Sequence, residues 1–103
     1  MASIDQIQFA GLLGNQTWDQ ITVNEFLAAL GKSGWKEAHN AHIYMRLKER
    51  GPGLGIRTPN DFARALRGGT TEDAENGAQA RVCSGGKLRV IFRDRSFITI
   101  VHA

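Results

Sequence analysis

From His42 onward the chain reads His42-Ile43-Tyr44-Met45-Arg46-Leu47-Lys48-Glu49-Arg50-Gly51, with a histidine and two arginines at successive spacings of four. In a helix that spacing stacks side chains along one face. Histidine, with a reference pKa of about 6.5, can give or take a proton near neutral pH, and here it would stand beside two permanent cations. Such a set suits chemistry on a phosphodiester. The histidine would act as general base, while the guanidinium groups hold the phosphate and the charge developing on its oxygens. A solvated helix with its arginines extended into water would show the same spacing.

The pattern predicts that this stripe lies on a helix running from Trp35 to Arg50. At about 100° per residue, His39, His42, Arg46 and Arg50 share an arc of about 80°. Ala38 and Met45 flank it on one side, Ile43 and Leu47 on the other. An ordinary amphipathic helix has one apolar face, so a polar stripe with apolar borders on both sides reads as the wall of a cleft.

Other elements must hold that wall in place. Residues 1–15 alternate loosely and predict a short helix or an irregular arm. Thr22-Val23-Asn24-Glu25 has the form of a capping box, opening a helix with Phe26, Leu27 and Leu30 as its stripe and Gly31 and Gly34 at its end. Gly51-Pro52-Gly53 stops the histidine helix. Thr58 as cap, Pro59 in the first helical position and Asp61 in the first turn start another, burying Phe62, Ala65 and Leu66 and closing at Gly68-Gly69. The polar stretch Thr70 to Gly77 reads as a surface loop.

The last third changes period. Ala80–Ser84 and Lys87–Phe92 read as strands joined by a two-residue turn at Gly85-Gly86, and Phe97–Val101 as a third strand after a turn at Asp94-Arg95. Those turns would align Arg81, Val90 and Thr99 across one face, with Val82, Arg89 and Ile100 on the other. The expected fold is α+β, with N-terminal helices packed on a small curved antiparallel sheet of three to four strands. It forms a single domain over 1–103, divided into a helical N-terminal segment (1–35) and a candidate catalytic core (36–103).

A chain of 103 residues with 42% hydrophobic and 22% charged residues is the size and composition of one globular domain. Cys83 is alone, so neither an internal disulfide nor the usual zinc spacings can form, and a single cysteine in an apolar strand reads as buried and inert. No apolar run is long enough for a membrane span, so no membrane insertion is expected of this domain. The amino terminus lacks the pattern of a secretion signal, and any export signal would belong to a larger precursor. Residues 1–35 carry net charge −2 and residues 36–103 net charge +5, a bias that points to an anionic partner, nucleic acid or an acidic protein.

Several motifs are set aside. His39 and His42 could share a metal, but Arg46 and Arg50 would repel it and no third ligand is near in sequence. Gly51-Pro52-Gly53-Leu54-Gly55-Ile56 lacks the strand and the Gly-Lys-Ser/Thr of a phosphate loop. Trp18 and Trp35 read as core rather than as base-stacking platforms. Neither a metal nor a cofactor is expected.

The order of the motifs resembles a known group. His42-x-x-x-Arg46-x-x-x-Arg50-Gly51, then Ile56-x-Thr58-Pro59-x-Asp61, Leu66-x-Gly68-Gly69, an arginine-bearing strand and a terminal Phe97-Ile98-Thr99-Ile100 resemble the small ribonuclease-toxin domains grouped with barnase, colicin D and RelE. The match spans roughly residues 39–101. Residues 1–35 lie outside it, and residues 51–55 add a Gly/Pro-rich bend. The resemblance implies N-terminal helices on a curved antiparallel sheet and metal-independent RNA cleavage by attack of the 2′-hydroxyl, with tRNA as the expected substrate. It also implies delivery within a larger bacterial effector, action in the target-cell cytoplasm, and a dedicated immunity protein, expected to be acidic. By position it assigns catalytic roles to His42, Arg46, Arg50, Arg81 and Thr99. The general acid is left open between His39 and a water molecule. The competing expectation is a non-catalytic basic module, RNA-binding or antitoxin-like, that uses the same face without turnover.

Overall fold

The computed structural model describes residues 3–39 and 41–102. Two short 3-10 turns, at Ile4–Gln6 and Trp18–Gln20, and a one-turn helix α1 (Ala10–Leu13) form the amino-terminal arm. Helix α2 (Val23–Lys32) opens on the predicted capping box: the Thr22 hydroxyl accepts from the Glu25 amide at 3.1 Å, and the Glu25 carboxylate accepts from the Thr22 amide at 2.9 Å. Phe26, Ala29 and Leu30 are its buried residues.

The histidine helix is shorter than its periodicity predicts. Residues Lys36–Glu37 form a short strand, β1, and helix α3 runs only from His42 to Arg50. The difference comes from a contact distant in sequence, since β1 pairs in parallel with the last strand, and Ala38 N donates to Phe97 O at 2.8 Å. His39 is therefore off the helix and exposed. A 3-10 turn at Pro52–Leu54 follows α3. A Cβ at Gly51 would run into the carbonyls of Leu47 and Ile56, so close backbone approach rather than a left-handed φ requires glycine there. Helix α4 (Pro59–Gly68) starts as predicted, with the Thr58 hydroxyl accepting from the Asp61 amide at 3.0 Å.

The sheet has five strands in the order β1-β5-β4-β3-β2, where β2 is Thr70–Asp73, β3 Gln79–Cys83, β4 Leu88–Arg93 and β5 Ser96–His102. The fold class is α+β. Its sheet is mixed rather than wholly antiparallel and is larger than expected, because Thr70–Asp73 is an edge strand paired with β3 and not a loop. The β3–β4 connection is a 3-10 turn at Ser84–Gly86 followed by Lys87, with Cys83 opposite Leu88, instead of a two-residue glycine turn. Arg93 pairs with Ser96, so Asp94-Arg95 is the tight turn predicted.

The register of β5 at the site differs from the one the turns predict. Arg81 pairs with Val90 as expected, but Val90 pairs with Ile100, and Thr99 lies opposite Ile91. The cause is a bulge: Phe92 pairs with Phe97 and Ile91 with Thr99, leaving Ile98 as the extra residue. The other expected row becomes Val82, Arg89 and Val101.

Leu88, Val90 and Phe92 face the core together with Phe97, and α3 and α4 pack their apolar residues into the same cluster. Trp18 and Trp35 are buried, 2% and 4% exposed, which makes both core residues. Trp35 stacks on Phe97 at 4.8 Å between ring centroids. The Tyr44 hydroxyl lies 2.9 Å from the Ile21 carbonyl and 3.2 Å from that of Trp18, anchoring α3 to the amino-terminal arm. On the opposite face of the sheet, Val82, Arg89 and Ile91 are half-buried and Val101 is exposed.

Candidate functional site

The histidine stripe and the last strand meet at one point: His42 Nε2 lies 3.0 Å from Thr99 Oγ1, across 57 residues of sequence. Two features produce that contact. The buried face of α3, formed by Ile43, Tyr44 and Leu47, fixes the rotation of the helix, so that His42 stands half-buried at its first position. β1 pairs with only Ser96 and Phe97, so the edge of β5 from Ile98 onward is not covered by β1.

One turn further along α3 Arg46 is half-buried, and two turns along Arg50 is exposed, 3.7 Å from the Glu49 carboxylate. That exposed ion pair contributes little to stability. The polar stripe has one buried flank, Ile43 and Leu47. Its other flank is open, with Met45 54% exposed. The stripe therefore follows the boundary between core and solvent and is not walled by apolar residues on both sides.

Arg81 is engaged elsewhere. Its Nε donates to the Leu66 carbonyl at 2.8 Å and its guanidinium to Thr71 Oγ1 at 2.9 Å, tying β3 to the carboxyl end of α4 and to the edge strand β2. A cation at that end also meets the negative pole of the helix. The structure thus joins His42 to Thr99 and places Arg46 and Arg50 on the same helix, while Arg81 is held at α4.

Three residues of interest lie outside the sequence-derived site candidates. Glu37 Oε1 accepts from the Ile43 amide, capping α3 from β1, and its Oε2 is buried with no hydrogen-bond partner among the described residues. Burial pushes its carboxyl up from the ordinary glutamate value of 4.5 to about 7, against the opposing effect of the Ile43 and Tyr44 amides. Between those two pH values the folded state holds the proton more tightly than the unfolded state, so stability falls as pH rises through that window. Glu37→Gln cannot ionise there and is expected to remove the slope. In thermal denaturation its melting temperature should gain on that of the wild type between about pH 5 and about pH 8, and parallel curves would assign the slope to another group.

The other two are Arg89 and Arg93. They border a groove of about 620 Å3 on the face of the sheet away from the core, floored by Ile91, Ile98 and Val101 and rimmed by Asp73 and Glu75. Arg89 donates to Glu72 at 3.0 Å, and Arg93 reaches the Asn76 carbonyl. The groove adjoins the catalytic candidates, since Ile98 precedes Thr99 and Ile91 is its cross-strand partner. Alternation along β4 was the available signal for Arg89, and the bulge concealed its relation to Thr99.

Cys83 is 1% exposed, and burial pushes its thiol up to about 11, which keeps it protonated and unreactive at neutral pH. Among the described residues, no group of three His, Cys, Asp or Glu side chains is placed to hold a metal, and no helix is long and apolar enough to cross a membrane.

These features define a small α+β domain with a histidine–threonine pair at the junction of a helix and an open strand edge, beside an arginine-bordered sheet face. No family model, curated protein or solved structure matches the chain.

Proposed function

We propose that the domain is a metal-independent endoribonuclease of the toxin type. The observation that carries the reading is the 3.0 Å approach of His42 Nε2 to Thr99 Oγ1, with Arg46 one helical turn away. His42 takes the proton of the substrate 2′-hydroxyl as that oxygen attacks the adjacent phosphorus. Thr99 orients the imidazole, and Arg46 and Arg50 hold the phosphate and the charge growing on its oxygens. The bond from phosphorus to the 5′-oxygen breaks, and that oxygen leaves with a proton drawn from water. The products are a 2′,3′-cyclic phosphate and a 5′-hydroxyl. With Arg81 engaged at α4, the phosphate-binding role falls to the α3 arginines, and Arg89 and Arg93 line the path of the flanking strand.

The motif resemblance and the net charge of +5 over residues 36–103 support an RNA substrate, with tRNA as the expected class. The same resemblance supports an acidic immunity partner and delivery within a larger effector to the cytoplasm of a target cell. Purified protein is expected to cleave total cellular RNA in the presence of a chelator and to leave cyclic phosphate ends, read on a gel and by end-group analysis. RNA that is bound but left intact would support a binding module instead.

A further inference from the structure

Glu37 sits where three parts of the fold join. Its strand position pairs it with Phe97, two residues before Thr99, and the next residue, Ala38, donates to the Phe97 carbonyl at 2.8 Å. Its side chain crosses to α3, where Oε1 accepts from the amide of Ile43, the residue after His42. The N-cap residue of α3, Ala41, has no side-chain acceptor, so the first turn of the helix takes its cap from β1. Backbone pairing fixes Glu37 to β5, and its carboxylate fixes α3 to Glu37. The His42–Thr99 distance spans these same two elements.

We propose that Glu37 is a positioning residue of the site, its carboxylate tying the first turn of α3 to β1 and so holding His42 within reach of Thr99; this rests on the ribonuclease reading for its effect on rate. Its role is positional rather than catalytic, because one carboxylate oxygen caps α3 and the other is buried away from solvent. Burial opposes the charged carboxylate in that position and places its ionisation at about 7. The elements that adjoin it carry Lys36 and His39 close by in sequence, His42, Arg46, Lys48, Glu49 and Arg50 on α3, Glu25 and Lys32 on α2, and Arg95 in the turn before β5, and none of these charges shifts its carboxyl. The adjoining stretch of β5, Ser96 to Thr99, is uncharged. Burial and the two amides of α3 set the protonation. The ionised form is the stronger acceptor, so the hydrogen bond to α3 strengthens as pH rises through neutrality, even as the buried charge lowers the stability of the whole domain.

The test is an NMR titration of isotopically labelled wild type, Glu37→Gln and Glu37→Ala between about pH 5 and about pH 9, with RNA cleavage rates measured in parallel. In the wild type the Ile43 and Tyr44 amide resonances should move with a midpoint near 7, and in Glu37→Gln that movement should be absent. Glu37→Ala should lose about tenfold to 10²-fold in kcat with KM little changed, the size of effect expected when a reacting group is misplaced by a fraction of its reach. Glu37→Gln, which keeps the amide acceptor, should recover part of that loss. Amides that titrate identically in wild type and Glu37→Gln, or full kcat in Glu37→Ala, would overturn the proposal. A wild type that cleaves no RNA would overturn the ribonuclease reading alone, because the amide resonances still decide whether Glu37 holds the helix.

Discussion

His42→Ala is expected to lower RNA cleavage by about 10²–10⁴-fold while leaving the melting temperature close to that of the wild type, the range typical for removing a positioned proton-transfer group. The fold should survive because His42 is half-buried at the first helical position and lies outside the packed face formed by Ile43, Tyr44 and Leu47. Alanine is also the better helix former. The Tyr44 anchor, its hydroxyl with the Ile21 and Trp18 carbonyls, is untouched by the change. Initial rates under chelating conditions, alongside thermal melts of the same preparations, check both halves of the expectation. Cleavage at wild-type rate would remove His42 from the reaction, and a collapsed melting temperature would show that the histidine belongs to the framework.

Phe97→Ala should act through stability and have the larger structural effect. Phe97 is fully buried, stacked on Trp35 at 4.8 Å and tilted against Phe62 at 6.0 Å, and it faces Phe92 across the β4–β5 pair. Removing a ring so enclosed forfeits its burial and leaves a cavity bounded by aromatic residues that cannot readily close, a loss of about 3–5 kcal/mol. For a domain whose total stability is about 5–15 kcal/mol, that is a large share. At about 4–8 °C per kcal/mol the melting temperature should fall steeply. Denaturant titration measures the change; a loss below about 1 kcal/mol would mean that the cavity refills and the aromatic cluster is not the keystone its geometry indicates.

What could be read from the sequence were features written locally. The capping box of α2, the threonine cap and first-turn proline of α4, and the strand periods of β3, β4 and β5 are determined by neighbours a few residues away, and the structure has them where the residues imply. Features that depend on distant partners were hidden. Lys36–Glu37 continues a helical period, and only pairing with Ser96 and Phe97 draws it into the sheet. Thr70–Asp73 is exposed along its whole length and shows no apolar alternation, so nothing but its pairing with β3 marks it as a strand. Within the site, His42, Thr99 and Arg81 were all candidates; His42 and Thr99 are in contact, whereas Arg81 is held at the carboxyl end of α4. Its engagement by the Leu66 carbonyl depends on where α4 ends above the sheet. Glu37 was concealed for the same reason as β1, since a carboxylate on a presumed helix gives no hint that it caps the next one.

The bulge at Ile98 divides the molecule into segments that tolerate length change and one that does not. Between Cys83 and Leu88 the chain passes through exposed turn residues, where an added or lost residue would alter a loop. Losing Ile98 would leave Thr99 opposite Ile91 and Ile100 opposite Val90 in a regular ladder, whereas from Thr99 onward the count of residues decides which side chains meet the core, so losing one there would move every later residue to the other face. Descendants of this chain can therefore drift in length at one hairpin tip and at the bulge, while from Thr99 onward insertion and deletion are closed to them and only substitution remains.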